Sequence, residues 1–332
     1  MRDTILIISE YSDVSTNKVM EYLHHHGEKK VIRINAEDVI NLNGIDLGTD
    51  KSSVSISYLN REIVYDEMKS IWYRRGDLLC GKFNAYGTEA IESQVNRFLL
   101  EEWRVVRDFL LGVKRIDSSV FVLGDLSKEE YCNKLHNLNI AHTVGIKIPP
   151  TIITSRKSEL EKFINLYGII VTKAISNTPT FHFENSNYST RGTAILTAEG
   201  INKLPDRFFP ILAQKYIDKV LEVRVFYIKG DCYAMAIFSQ DSEKTKIDYR
   251  NYDHEQANRI VPFKLPTIVK QRILKLMRAL DLDTGSLDLI YTTHNEFVFL
   301  EVNPCGQFDW LSYNCNYYIE RRIAKMLSNG KN

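Results

Sequence analysis

The stretch 286–303 constrains the fold more than any other part of the chain. It contains two apolar segments joined by a short turn at 294–295, a pattern that predicts an antiparallel β-hairpin. If those two residues alone form the turn, Asp288 lies directly opposite Glu301. Asn303 shares the face of Glu301, because side chains two residues apart point to the same side of a strand.

This predicted cluster has the chemistry of a magnesium site. Carboxylates that face each other on a sheet repel, so the pair needs a compensating cation. Magnesium prefers oxygen ligands and is commonly shared between one or two carboxylates and nucleotide phosphates. Asp288, Glu301 and Asn303 are therefore the candidate metal ligands. A shifted register would make them ordinary surface acids, but apolar neighbours such as Leu289 and Phe299 favour a buried hairpin.

Two lysines are candidate phosphate contacts. Lys134 stands at the start of a predicted helix, and Lys173 ends the apolar strand 169–173. A lysine that emerges from an apolar strand can bury its stem while its ammonium group reaches a phosphate in a cleft. Either lysine alone is more often a surface residue, and spacing does not establish that the two are close.

The strand predicted at 221–228 carries an acid and a base on one face. Alternation places Glu222 and Arg224 together with apolar residues. They form either a structural ion pair or a functional pair in which Glu222 accepts from ribose hydroxyls and Arg224 neutralises phosphate charge. Arg250, further along, is another candidate contact for an anion.

The N-terminal part has the pattern of an α/β unit. Strand 4–9, helix 15–26 and strand 30–35 predict a parallel pair of strands. A strand at 70–75 ends in Arg74 and Arg75, which we expect on opposite faces, either in surface ion pairs or beside a bound anion. A long amphipathic helix over 88–111 is expected to pack on this sheet.

Composition excludes several classes of protein. With a net charge of +1 over 332 residues, the chain has no general electrostatic attraction to nucleic acid or membranes. Its apolar stretches are strand-sized, and the five cysteines are scattered, so we expect a cytoplasmic protein with reduced thiols. The sequence lacks a Gly-Lys-Ser/Thr phosphate loop, a G-x-S-x-G elbow and an H-E-x-x-H helix.

The ordered series of these residues resembles the ATP-grasp fold. More narrowly, the chain resembles the peptide maturases that make graspetides, the microviridin-like peptides, and among them the grasp-with-spasm group. The resemblance runs nearly end to end. It is carried by the segments 71–76 (IWYRRG), 133–134 (NK), 145–151 (GIKIPPT), 248–250 (DYR) and 301–310 (EVNPCGQFDW).

The resemblance implies a mixed α/β ATP-grasp fold with an N-terminal domain (1–125), a central domain with a lid loop (126–210, the lid within 176–191) and a C-terminal domain (211–332). It implies ATP and magnesium, with two ions expected, as cofactors. The catalytic residues would be Lys173, Arg224 and Arg250, and the magnesium ligands Asp288, Glu301 and Asn303. The nucleotide would be bound by Lys134, Lys173, Glu222, Arg224, Asn303 and a hinge of Gln214, Lys215, Tyr216 and Ile217 that reads adenine.

The implied activity is phosphorylation of Asp or Glu side chains of a ribosomal precursor peptide, followed by closure of ester or amide rings. The expected partner is that precursor, with a leader that docks and a core that is modified. The resemblance is also compatible with a homodimer. Two other readings use the same residues. One is a ligase that joins amino acids to a protein tail or a small molecule, and the other is a nucleotide-binding regulator without activity.

Overall fold

The computed structural model describes residues 2–48, 53–81, 89–112, 119–176, 180–183, 186–189, 192–240 and 257–330. Two compact units make up this part of the chain: Met1–Tyr131 with Gln307–Asn332, and Cys132–Gly306. The three-domain division stays a prediction, but the contacts group 307–332 with the first unit and not with the segment before it. A helix with the length and apolar character to cross a membrane is absent from the described ranges.

The first unit contains a parallel sheet in the order β2-β1-β6-β8 and a second sheet in the order β5-β4-β3-β7. The predicted parallel pairing of the first two strands is confirmed, and β1 is buried along its whole length, as in a central strand covered on both faces. The elements of this unit are β1 (Thr4–Ser9), α1 (Val14–His25), β2 (Lys30–Asn35), β3 (Val39–Asp46), β4 (Ser53–Tyr58), β5 (Arg61–Val64), β6 (Met68–Tyr73), β7 (Leu79–Cys80), α2 (Glu89–Leu111), β8 (Phe121–Leu123), α3 (Leu126–Glu130), α8 (Asp309–Cys315) and α9 (Ile319–Asn329).

Two helical predictions for this unit need correction. In α2 the end of the helix is anchored through buried Leu110, but Ile91 and Phe98 on its apolar stripe are exposed, so that half of the helix does not pack on the sheet. The sequence predicts one closing helix over 313–327. The structure has two helices there, because Asn316 and Tyr318 adopt left-handed backbone angles between α8 and α9.

Arg74 and Arg75 both bind one buried carboxylate. The Nε atoms of the two arginines each lie 3.1 Å from Oδ2 of Asp13, which also caps α1 by accepting from the N–H of Thr16. Burial by itself would raise the pKa of Asp13, but Arg74, the Ser15 hydroxyl and the other donors outweigh it and lower that pKa. The guanidinium of Arg74 is 4% exposed, so its pair is a buried one and not the surface pair considered from the sequence.

We expect Asp13→Asn to lower the free energy of unfolding by about 2 kcal/mol at pH 7, since the cap is kept but the charge is lost. The folded pKa of Asp13 lies below its unfolded value, so the contribution of the carboxylate is present above about pH 4 and lost as the pH falls through the folded pKa. Urea unfolding at several pH values measures this difference. A constant difference down to low pH would contradict the assignment.

The second unit contains two sheets, in the orders β13-β10-β14-β9 and β17-β16-β15-β18-β19. Helix α7 packs its apolar face on the second sheet, in a core that includes Ile273 and Phe299. The elements are α4 (Lys134–Thr143), β9 (Thr151–Arg156), α5 (Lys157–Tyr167), β10 (Ile170–Lys173), β11 (Thr180–Phe183), β12 (Ser186–Ser189), β13 (Thr193–Leu196), α6 (Ala198–Asn202), β14 (Arg207–Lys215), β15 (Lys219–Ile228), β16 (Asp231–Phe238), β17 (Arg259–Pro262), α7 (Thr267–Ala279), β18 (Thr284–Thr292) and β19 (Phe297–Asn303).

The polar segment predicted as an irregular loop over 176–191 contains regular structure. Its described residues include β11 and β12, which pair in antiparallel fashion. A role of this segment as a lid stays a prediction.

Candidate active site

The hairpin of β18 and β19 brings Asp288 and Glu301 together as predicted, but through a different turn. Asn295 adopts a left-handed backbone conformation, and the N–H of Thr292 donates to the carbonyl of Glu296 at 2.9 Å, so three residues form the turn. That turn alone would set Asp288 opposite Leu300. A β-bulge after Asp288 restores the pairing with Glu301.

Arg224 lies across the strand pair from Asp288, on β15. Its Nη1 is 2.8 Å from Oδ1 of Asp288, and both side chains are largely buried. The two readings of Arg224, structural ion pair and functional cation, are therefore compatible, because the guanidinium is positioned by one of the predicted metal ligands.

Lys134 is the first residue of helix α4, and its side chain lies near the carboxylate of Glu301. The side chain of Asn133 caps α4 by accepting from two backbone N–H groups, which sets Lys134 at the first helical position. Its Nζ donates to the carbonyl of Ser176 at 2.9 Å and lies 4.0 Å from Oε2 of Glu301. The lysine and the carboxylate are thus close, as the phosphate-contact prediction requires.

Asn303 lies beyond Glu301 at the end of β19, opposite Ser286. Its Oδ1 accepts the backbone N–H of Cys305 at 3.0 Å, in the turn that follows the strand. A carbonyl oxygen has two lone pairs, so one remains for a cation. This hydrogen bond fixes the orientation of the amide group, and Asn303 is an exposed residue.

A cleft in the second unit collects most of the remaining predicted residues. Lys173 reaches it from β10. The hinge begins in the last two residues of β14, where the side chain of Gln214 donates to Oγ1 of Thr151 at 2.9 Å. Apolar side chains and polar side chains share its wall, a combination typical of nucleotide sites. The cleft is lined by Pro149, Val171, Lys173, Thr193, Gln214, Lys215, Tyr216, Ile217, Lys219, Glu222, Asp288, Ile290, Leu300 and Glu301.

Two backbone N–H groups of the hinge are hydrogen-bonded to other parts of the protein. The N–H of Lys215 donates to the carbonyl of Pro150, and that of Tyr216 to the carbonyl of Ile169, both at 2.9 Å. Within the described residues, the N–H of Ile217 has no such partner. Ile217 is therefore the backbone donor of the hinge that can serve a ligand in the cleft.

Glu222 is buried beside a cation that the sequence reading missed. Nζ of Lys219 lies 2.7 Å from Oε1 of Glu222, and Oγ of Ser239 donates to the same oxygen at 2.9 Å. Burial raises the pKa of Glu222, while Lys219 and Ser239 act to lower it. The one available signal was the spacing of Lys219 and Glu222, three residues apart around an irregular strand start.

The predicted residues fall into three groups. Asp288, Glu301 and the hinge line the cleft together with Lys173 and Glu222, while Lys134, Arg224 and Asn303 adjoin them through the contacts above. Arg250 lies outside the described residues. In the ranges described, no group of three or more His, Cys, Asp or Glu side chains could hold a metal ion, and the assignment of Asp288, Glu301 and Asn303 as magnesium ligands stays a prediction.

Comparison with known proteins gives similarity at the level of structure. No protein-family model matches the sequence, and neither does any curated protein. A RiPP-associated ATP-grasp ligase from Chryseobacterium gregarium, solved with ADP and a leader and core peptide, is 26% identical with a TM-score of 0.79, covering 98% of this chain and 96% of that chain.

Macrocyclase MdnC from Microcystis aeruginosa MRC, bound with precursor peptide MdnA, is 25% identical with a TM-score of 0.78, covering 99% of this chain and 100% of that chain. ATP-grasp ligase PsnB, complexed with a phosphomimetic variant of minimal precursor, Mg and ADP, has a TM-score of 0.71 at 18% identity and covers 99% of both chains, which shows the fold alone. The chain therefore has the predicted ATP-grasp fold, and it is similar over nearly its whole length to RiPP-associated ATP-grasp ligases and macrocyclases.

Proposed function

We propose that this protein closes side-chain rings in a ribosomal precursor peptide at the expense of ATP. The observation that carries the proposal is the direct pairing of Asp288 with Glu301 at the edge of a cleft that also holds Lys173 and the hinge. The similarity to a macrocyclase and to a ligase solved with leader and core peptide supports a precursor peptide as the substrate.

The residues present fit ATP and magnesium. Two facing carboxylates and the amide of Asn303 form an oxygen donor set for magnesium, which, when bound, neutralises phosphate charge. We assign adenine to the wall of the cleft near the N–H of Ile217. The ammonium groups of Lys134 and Lys173 would contact phosphates.

The proposed reaction has two steps. A carboxylate oxygen of an Asp or Glu in the precursor attacks the γ-phosphorus of ATP, the bond to the bridging oxygen breaks, and ADP leaves. A Ser or Thr hydroxyl, or a Lys amine, then attacks the acyl carbon, and phosphate leaves. The peptide therefore loses the elements of one water molecule for each ring that forms. Arg224 stands where it could stabilise negative charge on the transferred group, and Arg250 stays a candidate for the same role.

Four further parts of the proposal rest on the resemblance and on composition. They are the presence of two magnesium ions, a homodimer, the three-domain division of the chain, and a cytoplasmic location, with which the free cysteines agree. Ion counting, light scattering, limited proteolysis and fractionation test them in that order.

Incubation of the protein with ATP, magnesium and candidate precursor peptides tests the proposed reaction. We expect the intact mass of a cognate precursor to fall by one water per ring, and each loss to require ATP. Hydroxylamine treatment then separates ester from amide rings. Unchanged mass with every precursor, together with ADP release on free amino acids, would instead indicate the ligase that joins amino acids.

A further inference from the structure

The two oxygens of Glu222 have different surroundings. Oε1 is bonded both by Nζ of Lys219 and by Oγ of Ser239. Oε2 has no hydrogen-bond partner among the described residues, and Glu222, which is 5% exposed as a whole residue, lines the cleft. Oε2 is not one of the fully buried side-chain oxygens that lack a partner, so it keeps some exposure, and a ligand in the cleft that carries an O–H or N–H group can donate to it.

The donors on Oε1 come from both sides of Glu222. Lys219 precedes it on β15, and Ser239 directly follows β16, the neighbouring strand. The cross-strand neighbours of Glu222 are apolar, Ile237 on one side and Ile290 on the other. With Oε1 held at two points, the carboxylate cannot turn freely, and Oε2 is the oxygen left for the cleft.

Lys219 is buried beside Glu222, its paired carboxylate. Its side chain is 3% exposed, and an ammonium group at that depth requires a paired carboxylate. A buried ion pair is weak as a source of stability, since its desolvation cost offsets much of its attraction. A role in orienting Glu222 accounts for the pair better than stability does.

We propose that Lys219, assisted by Ser239, is a positioning residue that directs Oε2 of Glu222 toward the ribose hydroxyls of ATP. The inference rests on the proposed function, which assigns ATP to this cleft. A ribose diol carries two O–H donors, the groups that an unsatisfied carboxylate oxygen accepts.

The test compares the affinities of the protein for ATP and for 2′,3′-dideoxy-ATP, which lacks both donors. The unmutated protein is expected to prefer ATP, and Lys219→Met to reduce that preference about tenfold, because a hydrogen bond to a charged group is lost. Lys219→Arg keeps the cation and should restore the preference. If Lys219 had a purely structural role, Lys219→Met would weaken the binding of both nucleotides equally. The ratio of the two affinities would then stay unchanged.

Lys229→Met is the matched control. Lys229 directly follows the same strand and pairs with Asp283 at 3.1 Å, but it does not line the cleft, so the ratio should stay that of the unmutated protein. If Lys219→Met does not fold, Lys219→Met/Glu222→Gln removes the stranded carboxylate. Its ratio should equal that of Glu222→Gln alone, and a further fall would contradict action through Glu222.

The outcomes separate the two proposals. An unchanged ratio in folded Lys219→Met, with ATP bound by the unmutated protein, would overturn the positioning role alone. Failure of the unmutated protein to bind either nucleotide would overturn the proposed function and the positioning role together.

Discussion

Glu301→Gln is expected to lower the rate of ATP-dependent peptide modification by roughly 100- to 1,000-fold without loss of folded stability. The carboxylate faces Asp288 directly, so removing its charge removes a proposed metal ligand and also a like-charge repulsion of about 0.2–1 kcal/mol. Kinetics of ADP release with a cognate precursor measure the first effect, and thermal unfolding measures the second.

The control for this variant is Glu296→Gln. Glu296 lies at the turn of the same hairpin and pairs with Lys147, where both side chains are exposed. We expect its activity to match that of the unmutated protein, since exposed ion pairs contribute little. Loss of activity in Glu301→Gln that is accompanied by loss of stability would assign the carboxylate a structural role instead.

Gly306→Ala is expected to destabilise the second unit by about 3 kcal/mol. A Cβ at Gly306 would overlap the side chain of Ser286 and come within 3.1 Å of the carbonyl oxygen of Asn303. Ser286 lies on β18 two residues before Asp288, so β18 must shift to admit the methyl group. The substitution should therefore weaken magnesium-dependent activity as well as folding.

Gly230→Ala separates overlap from backbone strain. Gly230 has a φ of +97°, and a Cβ there would meet nothing within 4 Å, so only the strain of about 1 kcal/mol is expected. Urea unfolding of the two variants compares the costs directly. Equal destabilisation of the two variants would show that the backbone after Asn303 moves easily to admit a Cβ. It would also show that the absence of a side chain at Gly306 is not required to position Asp288 and Asn303.

The acidic pair forms as predicted, but through a turn that differs from the predicted one. The pairing of Asp288 with Glu301 was predicted from a two-residue turn, and the pairing is confirmed although that turn is wrong. A left-handed Asn295 lengthens the turn, and the bulge compensates for it. Both depend on how the hairpin packs, which alternation of apolar residues does not encode.

The closing helices show the opposite case. One helix is predicted over 313–327, but Asn316 and Tyr318 adopt left-handed angles that divide it. Asparagine tolerates this conformation, whereas a tyrosine rarely does without support from its surroundings. The sequence signal for the break was therefore weak. In the structure the hydroxyl of Ser312 in α8 accepts the N–H of Ile319, the first residue of α9, at 3.0 Å.

The sequence by itself determined the properties that depend on local pattern: the parallel pairing of the first two strands, the apolar hairpin, and a series of lysines, acids and an amide that resembles the one in ATP-grasp ligases. Only the tertiary structure decided which oxygen of Glu222 is bonded by Lys219 and Ser239, and how Arg224 contacts Asp288. Strand periodicity sets the face on which a side chain lies. Its hydrogen-bond partners depend on contacts between strands that are distant in sequence.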